Sequence, residues 1–196
     1  MAPCRVSVAC HAHAQFNNLT TLCFFFHSGF FITSWEISAT NIIQTRFNWS
    51  IQYSALLVGG IALTPAISAP LIGKLSYRIH DKHILLGCAS TQLVSAVTLF
   101  DFGSPVLFLI GSVFYFQAVT LQLIFSFATS SKVCYQHEIE PMQTWINTIA
   151  LLLRGAGAIG GANLSTNGLG MCCVAGAVLS LVGILVFYRR LVYKID

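Results

Sequence analysis

Charge is what this sequence has least of. Six Asp and Glu and ten Lys and Arg make up 8% of its 196 residues, while 56% are apolar. A soluble domain of this size built that way has too little polar surface to cover itself, so a water-soluble globular fold is excluded. Paired cysteines are also missing: the seven are an odd number, contain no C-x-x-C and fall mostly inside apolar runs. They read as small buried hydrophobes and not as a disulfide framework or zinc site. His80 and His83 are three apart in a charged loop, and His11, His13 and His137 form no H-x-x-x-H pair and have no carboxylate cluster beside them. No metal is expected there. Nor does any nucleophile sit beside a base in a recognisable motif, so the chain is not read as an enzyme. No cofactor, catalytic group or nucleic-acid partner is expected.

What is present in quantity is long apolar sequence. Mean hydropathy is +0.75, carried by runs of about twenty residues, the length a helix needs to cross a hydrocarbon core of roughly 30 Å. Spans are placed near 21–43, 52–73, 84–101, 105–130, 143–162 and 169–188, giving an all-α membrane protein of six transmembrane helices over 21–190. Residues 1–20 read as a cytoplasmic segment without stable structure and 191–196 as a cytoplasmic tail. The first run is too long for a cleaved leader and reads as a retained signal anchor. Six crossings sort the cations. Arg5, Lys74, Arg78, Lys82, Lys132, Arg189, Arg190 and Lys194 fall on the face shared by the termini, against Arg46 alone on the other. That bias predicts cytoplasmic termini, and Phe47 and Trp49 at one boundary and Tyr188 and Tyr193 at the other fit interfacial belts.

Two charges lie at membrane depth, Glu36 in the first span and Arg154 in the fifth. Each costs roughly 2.5–3.5 kcal/mol at a helix centre, so each is expected to face the bundle interior or a wet cavity, either as a fixed pair or on a solute or proton path. Gln117 and Gln122 in the fourth span and Asn147 in the fifth are polar enough to join them, or to serve as interhelical packing contacts. Pro65 and Pro70 interrupt the second span and predict a bend. Gly155-Ala156-Gly157-Ala158-Ile159-Gly160 matches a dinucleotide-binding spacing, but no strand precedes it and no acid follows until Asp196. Gly155, Gly157 and Gly160 are read as close helix packing or a hinge.

The stretch Gly73-Lys74-Leu75-Ser76-Tyr77-Arg78-Ile79-His80-Asp81-Lys82 resembles the G-x-x-x-D-R-x-G-R-R/K loop of the major facilitator superfamily. Tyr77 stands where that motif has its acid, His80 for its glycine and Asp81 for a base. Phe47-Asn48-Trp49, the segment Gly60 to Pro65, Ile84-Leu85-Leu86 and Arg154 resemble the second half of the SPX-domain-type vacuolar phosphate transporters and their lysosomal relatives.

The resemblance implies one six-helix half of a major facilitator fold over residues 20 to 190. It also implies alternating access against a second half, covalently joined or another copy. Helices one, two, four and five would border a central cavity, Arg154 would bind an anionic group, and Glu36 would couple protons or balance charge. Gly73, Arg78, Asp81 and Lys82 would bias the rocking equilibrium. The partners are then the lipid bilayer and a small solute, with a vacuolar or lysosomal membrane as the implied location. The alternative reading is a non-transporting, partner-binding membrane subunit or an inactive truncated product.

Overall fold

The computed structural model describes residues 29–76, 78–100, 104–133 and 139–191, and among these every regular element is a helix. Helix α1 is described over residues 29–47; α2 is Ile51–Ser76, α3 Asp81–Thr98, α4 Pro105–Val133, α5 Ile139–Ala162 and α6 Thr166–Leu191. Three are long and apolar enough to cross a membrane: Ile51–Lys74 in α2, Pro105–Ser126 in α4 and Asn167–Val186 in α6. The chain is a membrane protein.

The other three expected spans differ from these for identifiable reasons. The apolar part of α3, His83–Thr98, is shorter, although the whole 18-residue helix is about 27 Å long at 1.5 Å per residue. Helix α5 has the length, 24 residues, but Gln143, Asn147 and Arg154 dilute its apolar character. In α1 the described part holds Glu36, Asn41, Gln44 and Arg46, while residues 21–28 of the expected span lie outside the described residues.

Serine starts each of the three long apolar helices. Ser50 Oγ accepts from Tyr53 N–H at 3.4 Å, Ser104 Oγ from Leu107 N–H at 3.5 Å and Ser165 Oγ from Gly168 N–H at 3.2 Å. Each bond joins the cap to the third helical residue and satisfies a donor that the helix itself cannot pair. Pro105 follows its cap at the first helical position, where its missing N–H costs nothing. Helix α1 stops differently: Asn48 has φ of 53°, a left-handed conformation that asparagine tolerates better than most side chains, and Trp49 N–H turns back to Ile43 O at 3.4 Å.

Helix α2 runs unbroken through Pro65 and Pro70. A proline at 65 leaves the Ile61 carbonyl without its usual donor four residues on. Thr64 Oγ1 donates to that carbonyl at 2.8 Å instead. This is the local repair that lets a membrane helix keep a proline.

Packing is organised around α4. It lies against α3 and α2, and α3 in turn packs on α6. Half of the apolar window of α4 is buried (50%), against 11% for α2. The main core joins Trp35, Ala39 and Ile43 of α1 to Phe108, Phe116 and Val119 of α4 and to Leu169 and Cys173 of α6. Trp35 is fully buried, donates Nε1–H to Ser112 Oγ at 3.2 Å and packs its ring 5.1 Å from that of Phe116. At the other end Leu85, Ala89, Phe125 and Ile184 form a second cluster. The described cysteines fit the same logic: Cys88 and Cys173 are buried free thiols and Cys172 is half-buried and free.

Candidate functional site

Glu36 and Arg154, the two charges singled out from the sequence, sit on helices held together by small residues. A β-carbon on Gly157 would collide with the Phe30 carbonyl, and one on Gly161 would come within 2.7 Å of the Ser34 carbonyl. Only glycine at these two positions, one turn apart, lets α5 approach the α1 backbone this closely. Ser34 Oγ then donates to Gly157 O at 3.0 Å and Ser38 Oγ to Gly161 O at 2.7 Å. Gly160 packs on the Phe30 ring, whereas a β-carbon at Gly155 would meet open space. The spacing expected to pack helices therefore does so at Gly157 and Gly160, with Gly161 added and Gly155 outside the contact.

Glu36 is half-buried on α1, two residues from both Ser34 and Ser38 and therefore turned away from the seam, and Arg154 is exposed on α5; the positive charge of Arg154 acts on the Glu36 carboxylate without an ion-pair contact. Glu36 also borders an open groove of about 590 Å³ between α1 and α2. Thr40, Asn41 and Gln44 continue the groove wall on α1, and Ala55, Val58, Gly59 and Ala62 form the opposite side on α2. Glu36, Thr40 and Gln44 recur every fourth residue, which places them in one row along the helix. On the adjoining face Ile32, Trp35, Ala39 and Ile43 are buried in the core. Helix α1 is thus amphipathic, with its polar row half-buried along the groove to α2. Thr40 Oγ1 donates to the Glu36 carbonyl at 2.9 Å, so the groups the α1 wall offers the groove are the Glu36 carboxylate and the carboxamides of Asn41 and Gln44.

No family model, curated protein or solved structure matches this chain. Its chemistry is read from the seam alone.

The remaining residues singled out from the sequence are dispersed. Asn147 is exposed on α5, on the same helix as Arg154. Gln117 is half-buried and donates to Ser68 Oγ, tying α4 to α2. Gln122 is away from the charged pair. It is 2% exposed, accepts from Gln92 Nε2 and donates to Ser180 Oγ at 2.5 Å, a buried relay that joins α3, α4 and α6. Pro65 is buried and Pro70 exposed. In the loop after α2, Gly73 is half-buried and Arg78 exposed, while the side chains of Asp81 and Lys82 lie outside the described residues. Sequence reading passed over Thr40, Asn41 and Gln44. The signal was the fourfold recurrence of polar residues after Glu36, which a search for charges alone does not register.

Proposed function

We propose that this chain is one six-helix half of a secondary transporter of the major facilitator type, moving a small anionic solute by alternating access. The observation that supports the reading is Glu36 beside a groove whose α1 wall is polar, with Arg154 on the adjoining helix α5. An acid and a base at membrane depth are each costly in lipid and are kept where they face one another, a solute or water. In this reading Arg154 holds the anionic group and Glu36 balances its charge or carries the coupled proton. Asn147, Thr40, Asn41 and Gln44 supply neutral hydrogen bonds along the way. The exposed side of α5 carries Gln143, Thr144, Asn147 and Arg154 as a polar stripe beside the exposed Leu151, Leu152 and Ile159. A second half or a second copy covers it.

The test is uptake into proteoliposomes by the chain joined to its second half, or by the chain alone if two copies suffice, using a panel of radiolabelled inorganic and organic anions. Arg154→Gln is expected to reduce uptake of the transported anion at least about tenfold, the scale of one lost charge-assisted contact. Gly59→Leu puts a bulky group into the groove at a position where a β-carbon meets nothing within 4 Å, so it should block flux while leaving the bundle folded. Uptake of every anion unchanged in Arg154→Gln would sink the proposal. A folded, lipid-inserted protein that transports nothing in any pairing would favour the partner-binding reading instead, in which the exposed α2 and α5 faces dock another membrane protein.

A further inference from the structure

A second cavity lies at the far end of α1, away from the charged pair. It has a volume of about 240 Å³ and lies between the last turn of α1 and the turn that leads into α6. Asn41, Thr45 and Arg46 line it from α1, Ser165 and Asn167 from the α6 side, and Ile42 and Leu164 make its apolar floor. No acid takes part. The nearest carboxylate on α1, Glu36, is ten residues back along the helix, about 15 Å from Arg46.

The hydrogen-bonding state of these groups decides what fits. Ser165 Oγ already accepts from Gly168 N–H at 3.2 Å, so its own proton is what it offers the cavity. Thr45 Oγ1 donates to Asn41 O at 2.8 Å, which leaves it an acceptor toward the cavity. Asn41 and Asn167 each bring two amide protons. Arg46 and Asn167 also interact within the chain, but a guanidinium has five donors in a planar fork, enough to hold an internal partner and an oxyanion together. One positive charge, donors on Ser165 and the two carboxamides, and acceptors on Thr45 and the same carboxamides suit a small oxyanion that carries a hydroxyl proton.

The depth of the cavity restricts the source. The apolar span of α6 begins at Asn167 and that of α2 at Ile51, five residues after Arg46, and the exposed Trp49 lies between. Both walls are therefore at the level where hydrocarbon gives way to headgroups. We infer that this cavity is a binding site for a tetrahedral phosphate-type oxyanion at the membrane boundary, held by the Arg46 fork and the carboxamides of Asn41 and Asn167. The anion is either the headgroup of an anionic phospholipid or a free inorganic ion. Asn41 borders both this cavity and the groove, but neither Glu36 nor Arg154 lines it, so the site stands apart from the charges on which the transport reading rests.

The experiment is isothermal titration calorimetry on the full chain in a phosphate-free sugar detergent. Inorganic phosphate is titrated in one arm and short-chain phosphatidic acid in the other. Binding in at least one arm is expected, weakened about tenfold or more by Arg46→Gln and by Asn167→Leu and weakened less by Arg46→Lys, which keeps the charge but loses the fork. Heat with the lipid alone assigns a headgroup site, and heat with phosphate alone or with both assigns a site open to water. Gly155→Ala, on α5 where a β-carbon meets open space, should leave either affinity unchanged. Absence of binding in both arms overturns the inference, as does binding that survives Arg46→Gln and Asn167→Leu. Binding lost in Arg154→Gln but kept in Arg46→Gln would place the anion at the α1–α5 seam, overturning this site while favouring the transport proposal.

Discussion

At the scale of single residues, the proposed site has Glu36 and Arg154 offset each other's charge. Removing one partner of a charge pair in a low-dielectric setting strands the survivor, whereas removing both need not destabilise at all. Arg154→Gln and Glu36→Gln singly are therefore expected to lower the thermal midpoint of the detergent-solubilised protein, and the double variant to recover part of the loss. The coupling should be about 1 kcal/mol, in the range found for residues that interact directly. Midpoints that simply add would mean that the two groups are independent, with each solvated by water or headgroups. Both residues were legible as exceptions, because a charge inside an apolar run stands out whatever the fold. Their proximity was not: α1 and α5 are more than a hundred residues apart in sequence, and the seam that joins them is made by glycine and serine, which carry no charge signal.

At the scale of helices, the α1–α5 seam has a defined sensitivity. Gly161→Ala puts a methyl group within 2.7 Å of the Ser34 carbonyl, forces the helices apart and breaks the Ser38 bond, a change expected to cost about 1–3 kcal/mol as overpacking does elsewhere. Gly155→Ala meets open space and relieves the poor helix propensity of glycine, so it should be neutral or stabilising by up to about 1 kcal/mol. Thermal unfolding of the two variants side by side checks this. Equal loss in both would show that α5 is not seated on α1 through Gly161. The glycine run itself was readable as a packing element, but its register was not. Which of Gly155, Gly157, Gly160 and Gly161 faces α1 is set by the rotation of α5 about its axis, and that rotation follows from where Phe30 and Ser34 stand.

For the molecule as a whole, alternating crossings make a directional prediction. If the chain crosses the bilayer six times with both ends on one side, Ser50→Cys and Asn163→Cys should react with a membrane-impermeant maleimide added from one side of sealed vesicles. Arg78→Cys should react only from the other. Labelling of all three from the same side would exclude six crossings. The three helices that meet the length and apolarity of a span already require insertion. The largely exposed α2 and α5 show how much of the surface is left for lipid or for a second bundle.

Composition and the length of the apolar runs were enough to determine that this is a helical membrane protein, because a hydrocarbon slab accepts only segments that satisfy their own backbone groups and expose apolar side chains. Caps, prolines and the two misplaced charges were equally local and could be read one residue at a time. Only the tertiary structure decided which polar groups share a space. Glu36 stands in a row with Thr40 and Gln44 beside a groove, Gln122 turns inward to Gln92 and Ser180, and Arg46 meets Asn167 across a separate cavity. Those outcomes depend on how each helix is rotated against its neighbours, and that rotation is fixed by close contacts between residues far apart in the chain.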